Sequence, residues 1–403
     1  MVFFIGVVLF ALGIGLSVAL HEAGHMFTAK WFGMKVRRYF IGFGPKIFSF
    51  RRGETEYGLK AIPGGGFCDI AGMTALDEMT PDEEKNAMYK YPAWKRVIVM
   101  SAGSITHFIL GFIILYILAA TISLPNLVDK PVVGATACVQ SDTIDMDTNK
   151  PRPACAPADV GPAALAGLRQ GDEIIAVNGT KTPTFADLRT TLKPLSGPTR
   201  ITVDRDGTEQ TVVVDVTVAQ RLMLRDGNRV LEDQGSIGVL QQRKFEYNAW
   251  TAIGGTVSFT GDIFVKTWEG LIRFPERIPA VVRAIGGGER DPDTPVSVVG
   301  ASILGGDAVE RGLWDVVLLL LASLNFFIGV FNLLPLLPLD GGHIAVIVYE
   351  KIRNFVLRMR GKPAGGPVDY SKLMAVTMVV VFIGGAVMLL TITADIVNPI
   401  RLN

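Results

Sequence analysis

The 403-residue chain is poor in charge. Asp, Glu, Lys and Arg make up 19% of it, and the formal balance is +1. Nothing in that balance offers the basic footprint a nucleic acid needs, so nucleic-acid partners are excluded. Cysteine is scarce as well: three residues cannot build a disulfide scaffold. Histidine occurs only four times, so any cluster of it carries information. What the chain has in excess is apolar surface. It is 49% hydrophobic with a mean hydropathy of +0.37, too apolar for an ordinary soluble domain.

Four stretches reach the roughly 20 apolar residues that a bilayer crossing requires. They run from Val2 to about Ala29, Val97 to about Leu124, Val316 to about Leu339, and Leu373 to Ala394. The first lacks a basic leader, is too long for a signal peptide and runs straight into histidines, so it reads as a retained span. Lys and Arg concentrate between spans one and two, from Lys30 to Arg96, and between spans three and four, from Lys351 to Lys372. The positive-inside rule puts both loops in the cytoplasm. Both termini, and the long segment between spans two and three, are then extracytoplasmic. Cys138 and Cys155 fall in that exported segment and Cys68 on the reducing side, so a disulfide between Cys138 and Cys155 is expected.

The expected organisation follows in chain order. Residues 1–31 are the first transmembrane helix. Residues 32–96 hold a cytoplasmic-side re-entrant β region, with a turn near Arg52-Gly53, and an acidic connector over 74–92. The second transmembrane helix covers 97–124, an exported domain 125–248, and an amphipathic segment 249–315, which lies at the membrane surface or packs on that domain. The third transmembrane helix covers 316–350, a basic cytoplasmic loop 351–372, and the fourth transmembrane helix 373–396. Within the exported segment, Asp206-Gly207 between two alternating runs is a hairpin signal. "GPAALAGLRQGDEIIAVNG", Gly161 to Gly179, is similar to the signature of a PDZ domain, which implies binding of an extended peptide or C-terminus as an added strand. The fold class is therefore a polytopic α-helical membrane protein with four transmembrane helices, a membrane-associated β-hairpin region and an inserted α+β PDZ domain.

The chemistry starts at "HEAGH", residues 21 to 25. On a helix, His21 and His25 share a face. Both imidazoles can reach one Zn²⁺, with Glu22 beside them to take a proton from water. Ionisable groups at membrane depth mark function by default. A catalytic zinc takes three protein ligands, and the third candidate lies in "NLLPLLPLDGGHIAV", Asn332 to Val346, where Pro335 and Pro338 break a helix ahead of Asp340. Irregular backbone survives at membrane depth only where it lines a site or is covered by protein. His21 stands 19 residues after Val2 and Asp340 stands 24 after Val316, so both fall toward the cytoplasmic ends of spans that run the same way. His343 and His107 are the rivals. Asp340 ranks first because a carboxylate completes the His₂-acid set of hydrolytic zinc, with His343 and His107 kept as alternatives and as candidate neighbours of the ligands.

Together these residues resemble the site-2 protease family of intramembrane zinc metalloproteases, and its actinobacterial, mycobacterial-type members in particular. The match is carried by HEAGH, the glycine-rich "GFGP" and "IPGGGF", the PDZ insert, and N-x-x-P…L-D-G-G in the third span. The resemblance implies one Zn²⁺ per chain, held by His21, His25 and Asp340, with Glu22 as general base. It implies that Asn332 and the loop Gly64, Gly65, Gly66 and Phe67 hold the unwound substrate strand. The implied substrates are single-pass membrane proteins such as anti-sigma factors already shortened by another protease. One departure stands in the second span. Many members carry A-G-P-x-x-N, whereas this chain reads Ala102-Gly103-Ser104-Ile105-Thr106-His107. His107 in the asparagine position is a candidate hydrogen-bonding partner for the attacking water or the oxyanion. The competing readings are a membrane zinc carrier using the same ligands and a metal-stabilised PDZ receptor without protease activity.

Overall fold

Helix α1 (Val2–Trp31) runs unbroken through the HEAGH stretch, because nothing in those residues interrupts a helix. It stops where Gly33 adopts φ +81 and Met34 N–H donates back to the Ala29 carbonyl over 2.9 Å, the usual glycine-assisted helix end. The structure, a computed structural model, describes residues 1–74, 77–141, 155–156, 159–225, 228–366 and 368–402.

Strands β1 (Val36–Arg52) and β2 (Thr55–Ile70) follow, joined by a tight turn at Gly53, φ +61. Their register is unusual. Tyr39 lies opposite both Cys68 and Tyr57, and Phe40 opposite both Phe67 and Gly58. The first part of β1 is therefore flanked on both sides by β2, which bends back along its glycines. The acidic connector is held in place: Arg37 bridges Asp69 and Asp77, each at 2.7 Å, and Thr80 and Glu83 cap the short turn Pro81–Lys85. Connector residues 75 and 76 lie outside the described residues. Helix α2 (Ala93–Thr121) begins directly after Pro92, four residues ahead of the expected apolar run, because proline sits well at a helix start.

Residues 123–248 form a compact unit of their own. Strand β3 (Val133–Thr136) precedes β4 (Glu173–Val177), β5 (Thr180–Lys181), helix α3 (Phe185–Leu192), β6 (Gly197–Arg205), β7 (Thr208–Arg225), β8 (Asn228–Ser236) and β9 (Val239–Gln241). One sheet has the order β5-β4-β6-β7-β8, and β9 pairs with β3. Asp206 and Gly207 both take positive φ, +53 and +79, the turn that matches strand twist in a two-residue hairpin. Ile174, Val177, Leu188, Ile201, Val203 and Val214 close the core.

The rest of the chain rejoins α1, β1, β2 and α2 in the other unit. It comprises α4 (Thr251–Ile285), α5 (Val298–Glu310), α6 (Trp314–Asn332), α7 (Asp340–Met359) and α8 (Met374–Val397). Helices α1, α2, α6 and α8 are long and apolar enough to cross a membrane. The amphipathic segment packs within this unit, with Phe264 of α4 against Phe108 of α2 and Phe326 of α6. Small residues let the helices close: a Cβ at Gly111 would meet the Phe326 ring at 2.7 Å, and one at Gly329 the Phe108 ring at 2.5 Å.

Two expectations change here. The third span does not run on to residue 350. Helix α6 ends at Asn332, residues 333–339 turn through Pro335 and Pro338, and α7 starts afresh at Asp340. The basic segment expected as a loop from residue 351 is instead helical to Met359. Proline is absent from α7, its glycines are confined to the first turn, and Val346, Ile347 and Glu350 bury one face.

Candidate metal centre

His21 and His25 stand one turn apart on α1, both buried. Their Nε2 atoms are 3.2 Å apart, and each lies 3.3 Å from Asp340 Oδ2. Asp340 reaches them because it is the first residue of α7, and the chain before it folds tightly back: a Cβ on Gly341 would lie 2.2 Å from the Leu333 carbonyl oxygen. The count along a continuous third span therefore does not explain how Asp340 arrives; the break does. Helix α2 passes just as close. A Cβ on Gly103 would lie 2.4 Å from His25 Nε2 and 2.5 Å from His21 Cε1.

The protons are placed by the neighbours. His25 Nδ1 lies 2.7 Å from the Val99 carbonyl, which only accepts, so Nδ1 donates and Nε2 presents its lone pair. Two imidazole nitrogens and a carboxylate oxygen then converge on one point. Asp340 Oδ2 and His21 Nδ1 are buried without a hydrogen-bond partner among the described residues. Three donors with edges of 3.2–3.3 Å are what a small cation requires, since four ligands at about 2.0–2.1 Å from a tetrahedral zinc stand about 3.3 Å apart. The residues present fit the ion.

Glu22 is half-buried beside the pair, and β2 runs past it: a Cβ on Gly66 would lie 3.1 Å from Glu22 Cγ. Of the other residues expected to hold substrate, Phe67 stacks on Phe40 and Phe43, Gly65 takes φ +147, and a Cβ on Gly64 would meet little but the Ile62 side chain. Asn332 is the last residue of α6 and half-buried. His343 is buried but faces elsewhere, its Nδ1 3.3 Å from Tyr370 Oη. His107 stays outside the triangle, with its ring 5.0 Å from that of His21. Cys138 and Cys155 lie in the other unit, 6.3 Å apart at Cα with their sulfurs together.

One residue escaped the sequence reading. Asn325 is fully buried on α6, and its Oδ1 lies 2.8 Å from His107 Nδ1. Its Nδ2 donates to the Leu321 carbonyl, so Oδ1 is the atom that accepts from His107. That leaves His107 Nε2 as a buried lone pair without a partner among the described residues. The signal was there to find: a lone amide midway along an apolar span calls for a partner.

Comparison with known proteins settles the lineage. The pattern of peptidase family M50 matches residues 9–376. The chain belongs to peptidase family M50. This M50 peptidase is 50% identical over 411 residues to the zinc metalloprotease Rip1 of Mycolicibacterium smegmatis, covering 100% of both chains. It is 48% identical over 408 residues to the zinc metalloprotease Rip1 of Mycobacterium tuberculosis strain H37Rv, again across 100% of both. The site-2 protease resemblance read from HEAGH and LDGG thus extends over the whole chain, and its four spans fit the membrane setting of the family.

Proposed function

We propose that this M50 peptidase is a zinc-dependent endopeptidase that cuts transmembrane segments of single-pass proteins inside the bilayer. The observation that carries the reading is the triangle of His21, His25 and Asp340 with Glu22 at its side. The zinc named for its Rip1 relatives suits that donor set. His21, His25 and Asp340 would hold one Zn²⁺, which would supply Lewis acidity for the attacking water and the scissile carbonyl.

The chain's own residues do the rest. Glu22 takes the proton of the attacking water and delivers it to the amide nitrogen as the C–N bond breaks. His107, its Nδ1–H committed to Asn325, offers Nε2 as an acceptor that orients the attacking water. A substrate helix masks its own peptide groups, so it must unwind before it is cut. Residues 66–69 pair with β1 along one side, and their other side can take the unwound strand. Gly66 runs past Glu22, so a strand added there carries its peptide bonds past the base. Asn332 holds that strand's backbone near the cut.

The unit 123–248 acts on this reading as a PDZ domain that takes a peptide or free C-terminus, with Cys138 and Cys155 bonded outside the cytoplasm. A Cα separation of 6.3 Å, within the 4.4–6.8 Å disulfide range, supports that bond; non-reducing mass mapping that finds both thiols free would remove it. The termini are extracytoplasmic, the site lies toward the cytoplasmic face of the cell membrane, and anti-sigma factors already trimmed by another protease are the substrate class. Comparing membrane proteomes with and without the active enzyme tests that last step.

Glu22→Gln decides between protease and carrier. A protease keeps about one zinc per chain and loses turnover by at least ~10²-fold. A carrier or receptor built on the same three ligands retains its function. Normal cleavage of a membrane substrate by that variant would falsify the assignment.

A further inference from the structure

Helix α7 is covered along one face only. His343, Val346, Ile347 and Glu350 are buried against the protein. At about 100° per residue, the opposite side carries Val348, Tyr349, Ile352, Phe355, Val356 and Met359 within a sector of about 120°. All six are between 38% and 74% exposed. The edges of this stripe are basic: Lys351 and Arg358 border it on one side, Arg353 and Arg360 on the other. The helix's only acid besides Asp340 is Glu350, turned inward and committed to Arg96 at 2.9 Å and to the Val368 N–H.

We propose that α7 is an interfacial helix whose uncovered face is seated at the headgroup–acyl boundary of a leaflet bearing anionic lipid. An apolar stripe flanked by cations on both sides is the pattern of a helix that lies in the interface, with the stems of Lys and Arg along the apolar surface and their heads among phosphates. A face in water would not keep six large apolar side chains in one stripe. Arg353 is turned onto the Gly366 carbonyl and Asn354, but a protein partner would still leave the exposed Lys351, Arg358 and Arg360 to neutralise, whereas a phospholipid surface supplies the matching charge. The membrane is already at hand through the four spans. A cavity of ≈ 680 Å³ opens beside this face between α7 and α8, lined by Val346, Tyr349, Arg353, Val376 and Val380 among others, with room for an acyl chain. Asp340 is the first residue of the same helix. The helix that presents a metal ligand at its N-terminus is therefore held by protein on one side and by lipid on the other.

The test uses the full-length protein in nanodiscs of phosphatidylcholine with or without phosphatidylglycerol. An environment-sensitive fluorescent amino acid replaces Phe355 by amber suppression. Bromine near the carbonyl end of the acyl chains should quench it more than bromine at mid-chain. The quenching should strengthen with phosphatidylglycerol. In native mass spectra, the preference for retained phosphatidylglycerol over phosphatidylcholine should fall about fivefold for each charge removed in K351Q, R358Q and R360Q, which is ~1 kcal/mol per basic residue. Quenching by aqueous iodide and by no lipid bromine overturns the proposal in favour of water or a protein partner. Quenching by mid-chain bromine alone, indifferent to phosphatidylglycerol and to the three substitutions, overturns it in favour of a helix inside the hydrocarbon. Both readouts report lipid contact, so neither depends on the protease reading.

Discussion

Two aspartates of the chain, Asp172 and Asp340, are satisfied in opposite ways. In the unit 123–248, Asp172 is 1% exposed and fully supplied: Arg205 Nε and Nη2 donate to its oxygens at 2.7 Å each, and Arg169 N–H donates at 2.8 Å. In the membrane unit, Asp340 faces two imidazole nitrogens, and its Oδ2 has no hydrogen-bond partner among the described residues. A buried carboxylate left without a donor is costly and persists only where something else completes it. Asp172 is completed by its own chain, which makes it a stability element. On the function proposed above, Asp340 is completed by an ion, which makes it a functional one.

Substitution should separate the two at once. Asp340→Ala should drop zinc from about one per chain to near none and abolish cleavage, with the fold retained, as measured by metal analysis and circular dichroism. Asp172→Ala should do the reverse. Arg205 stays solvated, so the loss comes mainly from the charge-assisted bond with the Arg169 N–H, about 1.5–3 kcal/mol, read by denaturant unfolding of residues 123–248 within the whole chain, with zinc content unchanged. If Asp340→Ala kept its zinc, the contrast would be lost.

Acid sharpens the same contrast. Burial pushes the Asp172 carboxyl up, but the Arg205 guanidinium and the Arg169 N–H outweigh it and hold it below its ordinary value. A depressed folded value adds stability above the unfolded value of about 3.9, and that stability is lost as pH falls through the folded value. Melting of the 123–248 unit should therefore decline in that acid window, and the decline should be weaker in Asp172→Ala. Gly103→Ala has a smaller effect on the other site. The added methyl meets both imidazoles, and overpacking of that kind costs about 1–3 kcal/mol. It should appear as zinc affinity weakened roughly 10-fold or more in a chelator competition, since ~1.4 kcal/mol is a factor of ten.

Much of this was legible in the sequence because it is local. His21 and His25 share a face by helical spacing alone, the Asp206-Gly207 turn follows from residues that tolerate positive φ, and Pro335 and Pro338 announce the break that delivers Asp340. What stayed hidden needed a second segment. Gly103 is an ordinary small residue until α1 lies across it, and the partnership of His107 with Asn325 joins positions 218 apart. Helix α7 was hidden for another reason. Its basic residues are the same ones from which the topology was expected, and counting them as loop charges concealed their 3.6-residue spacing around an apolar stripe.

Asn325 supplies the finest test of the comparison, because it concerns neither fold nor ligand. Its amide is oriented by the Leu321 carbonyl and in turn holds the His107 Nδ1–H. Asn325→Leu keeps the volume and the apolar surroundings but frees His107 to take either tautomer. Zinc content and chelator-competition affinity should stay at the parent level, because no atom of the triangle is touched. Turnover should fall about 10- to 100-fold, the usual effect of removing a group that orients an active-site histidine. Asn325→Asp offers an acceptor of the same shape and should restore part of the loss. If Asn325→Leu instead lost zinc while Asn325→Asp did not, Asn325 would belong with Asp172, among the groups that hold the protein together.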